Sequence, residues 1–192
     1  MRIVDIRELS LPISRYADPS VPSGGLTTSM VAAITDVVRD GKAVVGYGFA
    51  SIGRFAQGGL IRERFAPRLL AARDADITDD AGTNLDPFRA WTVMMTGEKP
   101  GGHGERCVAV GTLDMALWDA AAKIAGLPLH RLLADRTAGP ATTLAVSVYA
   151  GGGYYYPTDD VARLSDEIRR FRDLGYQRAK IKIGSAPLTQ DL

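Results

Sequence analysis

Cysteine and histidine are scarce in this 192-residue sequence: Cys107 is the single thiol, and His103 and His130 are the only imidazoles. One thiol excludes an intrachain disulfide and cannot alone form a thiolate metal cage. Two histidines exclude a histidine-rich metal centre. Long apolar runs are missing as well; nothing approaches the roughly 20 residues that span a bilayer. The opening residues, MRIVDIRELSLPI, alternate charged and apolar side chains and do not read as a secretory leader. Nor is there an excess of one charge sign. Lys and Arg total 23 against 22 Asp and Glu, a net charge of +1, so neither nucleic acid nor an anionic membrane is the expected partner. Internal repeats and low-complexity tracts are absent. Together these features lead us to expect a cytoplasmic location.

What the chain does have is a core-forming composition, 46% hydrophobic and 23% charged, suited to one large domain or two small ones. Residues 2–11 read as a strand, and 12–27, with three prolines and two glycines, as a loop. SMVAAITDVV and KAVVGYGFA flank Arg39-Asp40-Gly41, and Asp-Gly between apolar runs predicts a hairpin. An antiparallel three-stranded sheet is expected to open the chain. After the glycine-rich SIGRFAQGG, residues 60–72 show helical spacing through Ile61, Phe65, Leu69 and Ala72. A second helix starts at Asp86-Pro87, a capping residue followed by a first-turn proline. A third spans 106–125, with Val110, Leu113, Leu117, Ala120 and Ile124 as its apolar stripe and Gly126 and Pro128 as its stop. Cys107 is expected to pack within it. Beyond Gly139-Pro140, TLAVSVYAGGG reads as a strand. PTDDVARLSDEIRRFRDLG reads as a helix capped by Thr158 or Asp159 and ended by Gly175, and RAKIKIG as a second strand. Such a β-α-β unit predicts parallel strands.

The last of these strands carries the chemistry. Its side chains alternate between faces, putting Ala179, Ile181 and Ile183 on one and Lys180 and Lys182 on the other, about 7 Å apart at about 3.3 Å per residue. On an antiparallel edge two lysines protect against strand addition. In a parallel sheet both faces are normally covered, so the apolar face is expected to meet helices and the lysine face to lie inside. Two unpaired ammonium groups there would be costly. A lysine relieved of its proton in such a place is a general base; a structural ion network is the alternative. A phosphate or anion site in an unrelated α/β protein is a third reading, disfavoured because no phosphate-cradling glycine loop precedes a helix. GYGFASIG leaves a hairpin strand, the wrong context for a dinucleotide fingerprint.

A small opening sheet, a helical block ending in VGTLDMALWDAAAKIAGLPLHRLL, and a β-α-β unit containing KIKIG together resemble the N-terminal half of the enolase superfamily, in its mandelate racemase/muconate lactonizing branch. Within that branch, VVGYGFASIGRFAQGGLIRERFAPRLL, MMTGEKPGGHGERCVAVGTLDMALWDAAAKIAG and YAGGGYYYP are most similar to the D-tartrate dehydratases. The resemblance implies an α+β capping domain over residues 1–138. Residues 139–192 would then supply the first two strands and first helix of a (β/α)8, TIM-like barrel, incomplete in this chain, with its active site at the C-terminal strand ends.

The implied chemistry is that of a Mg2+-dependent dehydratase of an α-hydroxy diacid or acid sugar, with D-tartrate going to oxaloacetate. A base removes the proton α to a carboxylate and the β-hydroxyl leaves as water. By the same resemblance Lys182 matches the general base, and Lys180 the neighbour that assists it and contacts the substrate carboxylate. Lys99 in EKPGG and Arg54 match substrate contacts; a solvated loop cation is the alternative for each. His103 has a substrate contact or a structural loop role open to it. Loops 12–27 and 51–59 would close over the substrate. The family's metal ligands would follow Leu192, so no metal residue is assigned here. A homo-oligomer acting on a small carboxylate is implied. These residues alone would be inactive and would expose apolar barrel faces, as part of a longer protein. The competing expectation is a non-catalytic remnant or assembly module that keeps the capping domain.

Overall fold

Two residues with positive φ, Asp40 (51°) and Gly41 (72°), turn the chain back on itself, as a two-residue hairpin turn requires of both central positions. They join β2 (Thr27–Arg39) to β3 (Lys42–Phe49). β1 (Ile3–Pro12) pairs antiparallel with β2, giving the sheet order β1-β2-β3 that the sequence predicts. The computed structural model describes residues 1–13, 27–50, 55–101, 104–137, 145–156, 158–184 and 187–191. The described residues divide into two compact units, the first holding 1–12 and 27–137, the second residue 13 and the described residues from 145 onward.

In the first unit, β2 alternates strictly: Ser29, Val31, Ala33 and Thr35 are buried while Met30 and Asp36 are exposed. The buried face is covered by α4 (Glu105–Ala125), which packs on β3 and β2. The helix comes unusually close because β3 presents Gly46 and Gly48 to it. A Cβ on Gly46 would overlap the Ala116 carbonyl oxygen and lie 2.6 Å from the Ala120 nitrogen; one on Gly48 would overlap the Thr112 carbonyl oxygen. The sequence stripe of α4 is met at Val110, Leu113, Leu117 and Ala120, all buried. Gly126 (φ 69°) ends the helix as predicted, with the Gly126 and Leu127 amides returning to the Lys123 and Ala122 carbonyls at 3.1 and 3.0 Å. Arg39, at the end of β2, donates to the Lys123 and Ile124 carbonyls at 2.6 and 2.8 Å, placing a cation at the negative end of the helix dipole. Cys107, expected to pack, is exposed on α4.

The outer edge of β3 is sealed by side chains of α4. The Tyr47 amide donates to Asp119 Oδ2 at 2.8 Å, and Lys123 Nζ donates to the Val45 carbonyl at 2.9 Å. Asp119 and Lys123 themselves pair at 2.5 Å, one turn apart.

The helix predicted over 60–72 is three pieces: α1 (Gln57–Leu60), a π-helical turn (Ile61–Phe65) and α2 (Ala66–Leu70). Pro67 lacks the amide that would continue the α-helical ladder, and the Ala66 amide reaches five residues back to Ile61. Its apolar residues still point inward; Ile61, Phe65 and Leu69 are buried. In α3 (Pro87–Met95), Asp86 caps as expected, accepting from the Phe88 and Arg89 amides at 2.9 and 3.3 Å, with Pro87 in the first turn. Leu85, Met94, Leu113 and Leu117 join these residues in one core, and α5 (Leu129–Thr137) adds Leu132.

The second unit contains β4 (Ala150–Gly151), α6 (Asp160–Asp173), β5 (Ala179–Lys180) and α7 (Leu188–Asp191). β4 and β5 are parallel, as predicted. Both are far shorter than the sequence suggested; among the described residues each pairs with one strand only. The apolar face expected to meet helices is largely open: Val148 is 65% and Ile183 69% exposed. Asp159, one of the two predicted caps, stands at the N-cap position of α6. Asp159 is left-handed (φ 52°) and its side chain makes no capping bond, while Asp160 Oδ1 accepts the Tyr156 amide at 2.6 Å. Gly175 (φ 91°) does end the helix. Among the described residues no helix is long and apolar enough to cross a membrane.

Candidate functional site

The candidate site lies at the carboxyl ends of the two parallel strands. Their ladder continues past β4 and β5: the Gly152 amide donates to the Lys180 carbonyl at 3.0 Å, and the Lys182 amide to the Gly153 carbonyl at 3.2 Å. Strand alternation puts Lys180 and Lys182 on one face. The expectation that this face lies inside is corrected here, since both lysines are exposed.

Around Lys182 the chain converges. Its Nζ sits 5.5 Å from the Tyr154 ring centre, a favourable position for a cation over an aromatic face. Gly184 (φ 97°) turns the chain just beyond it, and its amide donates to Asp191 Oδ2 at 2.6 Å. The Tyr155 hydroxyl donates to the other carboxylate oxygen, Oδ1, at 3.2 Å. Gly153, Tyr155, Asp160, Ile181, Lys182 and Asp191 line a hollow of about 60 Å3. Beside it, Glu167 of α6 accepts the Gly153 amide at 2.8 Å. Gly152 leaves room for this carboxylate: a Cβ there would lie 2.7 Å from the Glu167 carboxyl carbon and would displace it. Burial, then the Glu167 carboxylate that its hydroxyl meets, pushes the Tyr156 phenol above its ordinary value. The Arg163 guanidinium stacks 4.4 Å from the Tyr156 ring centre. A lysine with carboxylates and phenols at an open strand end can exchange protons with a small polar molecule, and two lysines on one face attract an anionic one.

In the first unit, Lys99 is exposed in the loop after α3. Its carbonyl accepts from Arg106 Nη1 at 3.0 Å. Arg54 and His103 lie outside the described residues, as do residues 14–26 of the first loop. Neighbouring Glu98 went unnoticed in the sequence. Its side chain is 2% exposed and pairs with Arg64, Arg68 and Arg106. Glu167 was missed too, although the three glycines of AGGG were a signal that something approaches that backbone closely.

Magnesium does not fit the described residues. No three His, Cys, Asp or Glu among them stand together so as to hold a metal ion. Asp160 and Asp191 at the hollow are two carboxylates, each already accepting a backbone amide.

Comparison with known proteins gives three kinds of match. The family model of the mandelate racemase / muconate lactonizing enzyme N-terminal domain matches residues 27–134. A D-galactonate dehydratase family member of Paenibacillus sp. (strain JDR-2) is 32% identical over 154 residues, 79% of this chain and 33% of its own. A D-mannonate dehydratase of Xanthomonas oryzae pv. oryzicola (strain BLS256) is 29% identical, over 79% of this chain and 32% of its own. The arabinonate dehydratase of Saccharolobus solfataricus is 30% identical over 48% of this chain and 23% of its own. The chain thus spans about a third of the length of the first two relatives.

Among solved structures, a mandelate racemase/muconate lactonizing enzyme-like protein from Rubrobacter xylanophilus superposes with a TM-score of 0.65 at 23% identity, over 99% of this chain and 47% of that one. A Streptomyces coelicolor A3(2) racemase with bound magnesium gives the same TM-score and identity, over 98% of this chain and 49% of that one. With a family model covering more than half its residues, the chain belongs to the mandelate racemase / muconate lactonizing enzyme family, whose N-terminal domain it carries.

Proposed function

We propose that the protein is the N-terminal part of an acid-sugar dehydratase, with residues 1–138 as capping domain and 139–192 as the start of a (β/α)8 barrel. The observation that carries this is the parallel pairing of β4 and β5, which sets Lys180 and Lys182 on one face at the strand ends. Barrel enzymes do their chemistry at such ends, and the curated relatives are galactonate, mannonate and arabinonate dehydratases. Lys182 takes the proton from the carbon α to the substrate carboxylate. Lys180 holds that carboxylate as negative charge grows on it. The β-hydroxyl then leaves with a proton as water, and the enol product tautomerises to a 2-keto acid. Lys99 and Arg54 meet the distal end of the substrate. Magnesium belongs to this proposal for the whole protein, on the strength of the magnesium-bound neighbours. None of the residues described here holds it, and the lysine steps are derived without it. A cytoplasmic homo-oligomer completes the proposal.

The test is keto-acid formation by the whole protein with D-mannonate, D-galactonate, D-arabinonate and D-tartrate in Mg2+. One of these should be turned over, and Lys182→Ala should lower kcat by about 10²–10⁴-fold, the usual worth of a positioned general base. D-tartrate turnover would select the diacid; turnover of a longer acid would select the sugar acids. No turnover of any, with folded protein, would replace the proposal by the non-catalytic assembly module.

A further inference from the structure

The loop that carries Lys99 is gripped by a device the proposed chemistry does not use. Gly97 (φ 74°) turns the chain out of α3, and the Glu98 amide returns to the Met95 carbonyl at 3.0 Å. The Glu98 carboxylate then points inward, 2% exposed, and meets three guanidinium groups. Arg64 of the π turn lies at 2.8 Å, Arg68 of α2 at 2.9 Å and Arg106 of α4 at 3.2 Å. Two of the three, Arg68 and Arg106, also hold the backbone at the end of α3 and in the loop. Arg68 donates to the Met94 carbonyl and to that of Thr96 at 3.4 Å, and Arg106 to that of Lys99 at 3.0 Å.

Three features separate this from an ordinary surface pair. The carboxylate is buried, so its side of each pair is shielded from water, while the arginine side chains stay 16–46% exposed. Three cations share one anion, so without Glu98 they would repel one another across a few ångströms. The grip also ends at the Lys99 carbonyl, while the Lys99 side chain is exposed: a fixed backbone carrying a free ammonium. Such an arrangement presents a charge at a constant place while leaving its tip free to meet an anion.

We propose that Glu98 is a positioning residue: through Arg64, Arg68 and Arg106 it locks the loop 96–101 and so fixes where Lys99 meets the distal anionic end of the substrate. The lock itself is independent of the proposed function; its effect on substrate rests on that function.

Two measurements on the whole protein separate them. In Glu98→Gln, which keeps the shape and removes the charge, amide hydrogen exchange should quicken at least tenfold in residues 96–101 and less than twofold in the sheet and α4. Arg64→Gln, on the most exposed of the three arginines, should give a smaller change of the same pattern and serves if Glu98→Gln does not fold. Exchange that rises uniformly across the first unit, or not at all in the loop, overturns the lock. In steady-state kinetics Glu98→Gln and Lys99→Met should each raise KM about tenfold with kcat within threefold, and the double variant should be no worse than Lys99→Met. A KM unchanged by Glu98→Gln but raised by Lys99→Met overturns the positioning role. A KM unchanged by Lys99→Met removes the substrate contact assigned to that lysine and leaves the lock to stand or fall on the exchange.

Discussion

Replacing Gly46 by alanine adds one methyl group where there is no room for it. The new Cβ would overlap the Ala116 carbonyl oxygen and sit 2.6 Å from the Ala120 nitrogen and 2.7 Å from the Ala120 Cβ. Two of these three atoms are helix backbone, so no side chain can swing away. α4 must move off β3 by about 1 Å, and a gap of that size forfeits a quarter to a half of each dispersion contact along the seam. Overpacking of this kind costs about 1–3 kcal/mol and occasionally more. The loss of backbone freedom in the unfolded chain returns about 0.4–1 kcal/mol. With two rigid backbone atoms in the way the cost falls at the upper end of that range, so the net is about 2 kcal/mol of destabilisation, and for 150–250 residues each kcal/mol moves Tm by about 2–4 °C. A circular-dichroism melt should therefore fall by about 4–8 °C. Gly111→Ala is the control: it lies within α4 with nothing within 4 Å of the added Cβ, and should gain about 0.5–1 kcal/mol from helix propensity. A Gly46→Ala melt within a degree of the parent, or one raised like Gly111→Ala, would refute the close seam between strand and helix.

Other outcomes follow from the same structure. Asp86→Ala removes the acceptor of two first-turn amides and should cost about 1 kcal/mol, read as a lowered urea midpoint at unchanged slope. Burial works against the Glu98 carboxylate, but the Arg64 and Arg68 guanidinium groups outweigh it and hold the group below the ordinary range. Its contribution to stability is then complete above the unfolded carboxylate value of about 4.3 and is lost as pH falls through the lower folded value. Glu98→Gln should flatten that part of the acid-unfolding curve, and an unchanged acid limb would contradict the ion cluster. Burial raises the Asp114 carboxyl, against a Trp118 hydrogen bond that lowers it. This group works in the opposite sense, and Asp114→Asn should gain stability above the ordinary carboxylate range, read as a Tm difference that vanishes in acid. Gly152→Ala should push Glu167 off the Gly153 amide, visible as a shift of the Gly153 amide resonance.

Much of the fold was legible because its signals are local. Asp40-Gly41, Asp86-Pro87 and the Gly126 stop each act within four residues, through backbone geometry that the residue types alone dictate. The Val110–Ile124 stripe was legible because one helix face repeats its own period. The extent of β4 and β5 was not legible. An apolar run such as TLAVSV reads as a strand, but a ladder needs neighbours, and among the described residues one strand meets only one other. The missing side-chain bond at the α6 cap has a similar cause: Asp159 takes the predicted position, while it is Asp160 that binds the Tyr156 amide. At the candidate site the lysine pair could be read from alternation. Glu98 could not be, because Arg64, Arg68 and Arg106 reach it from three separate elements and no spacing rule links them.

The sealed edge of β3 has a consequence for assembly. A free strand edge is an invitation to a neighbouring chain, which can dock there amide by amide and keep adding. Asp119 and Lys123 occupy one amide and one carbonyl along that edge, so two side chains from a helix stand in for a fourth strand. Among the described residues no further strand pairs with β3 on this side. Because Asp119 belongs to the LDMALWD stretch of α4, the segment that most clearly marks the family also occupies part of this strand edge. Substitution there would surface first as turbidity in a concentrated sample.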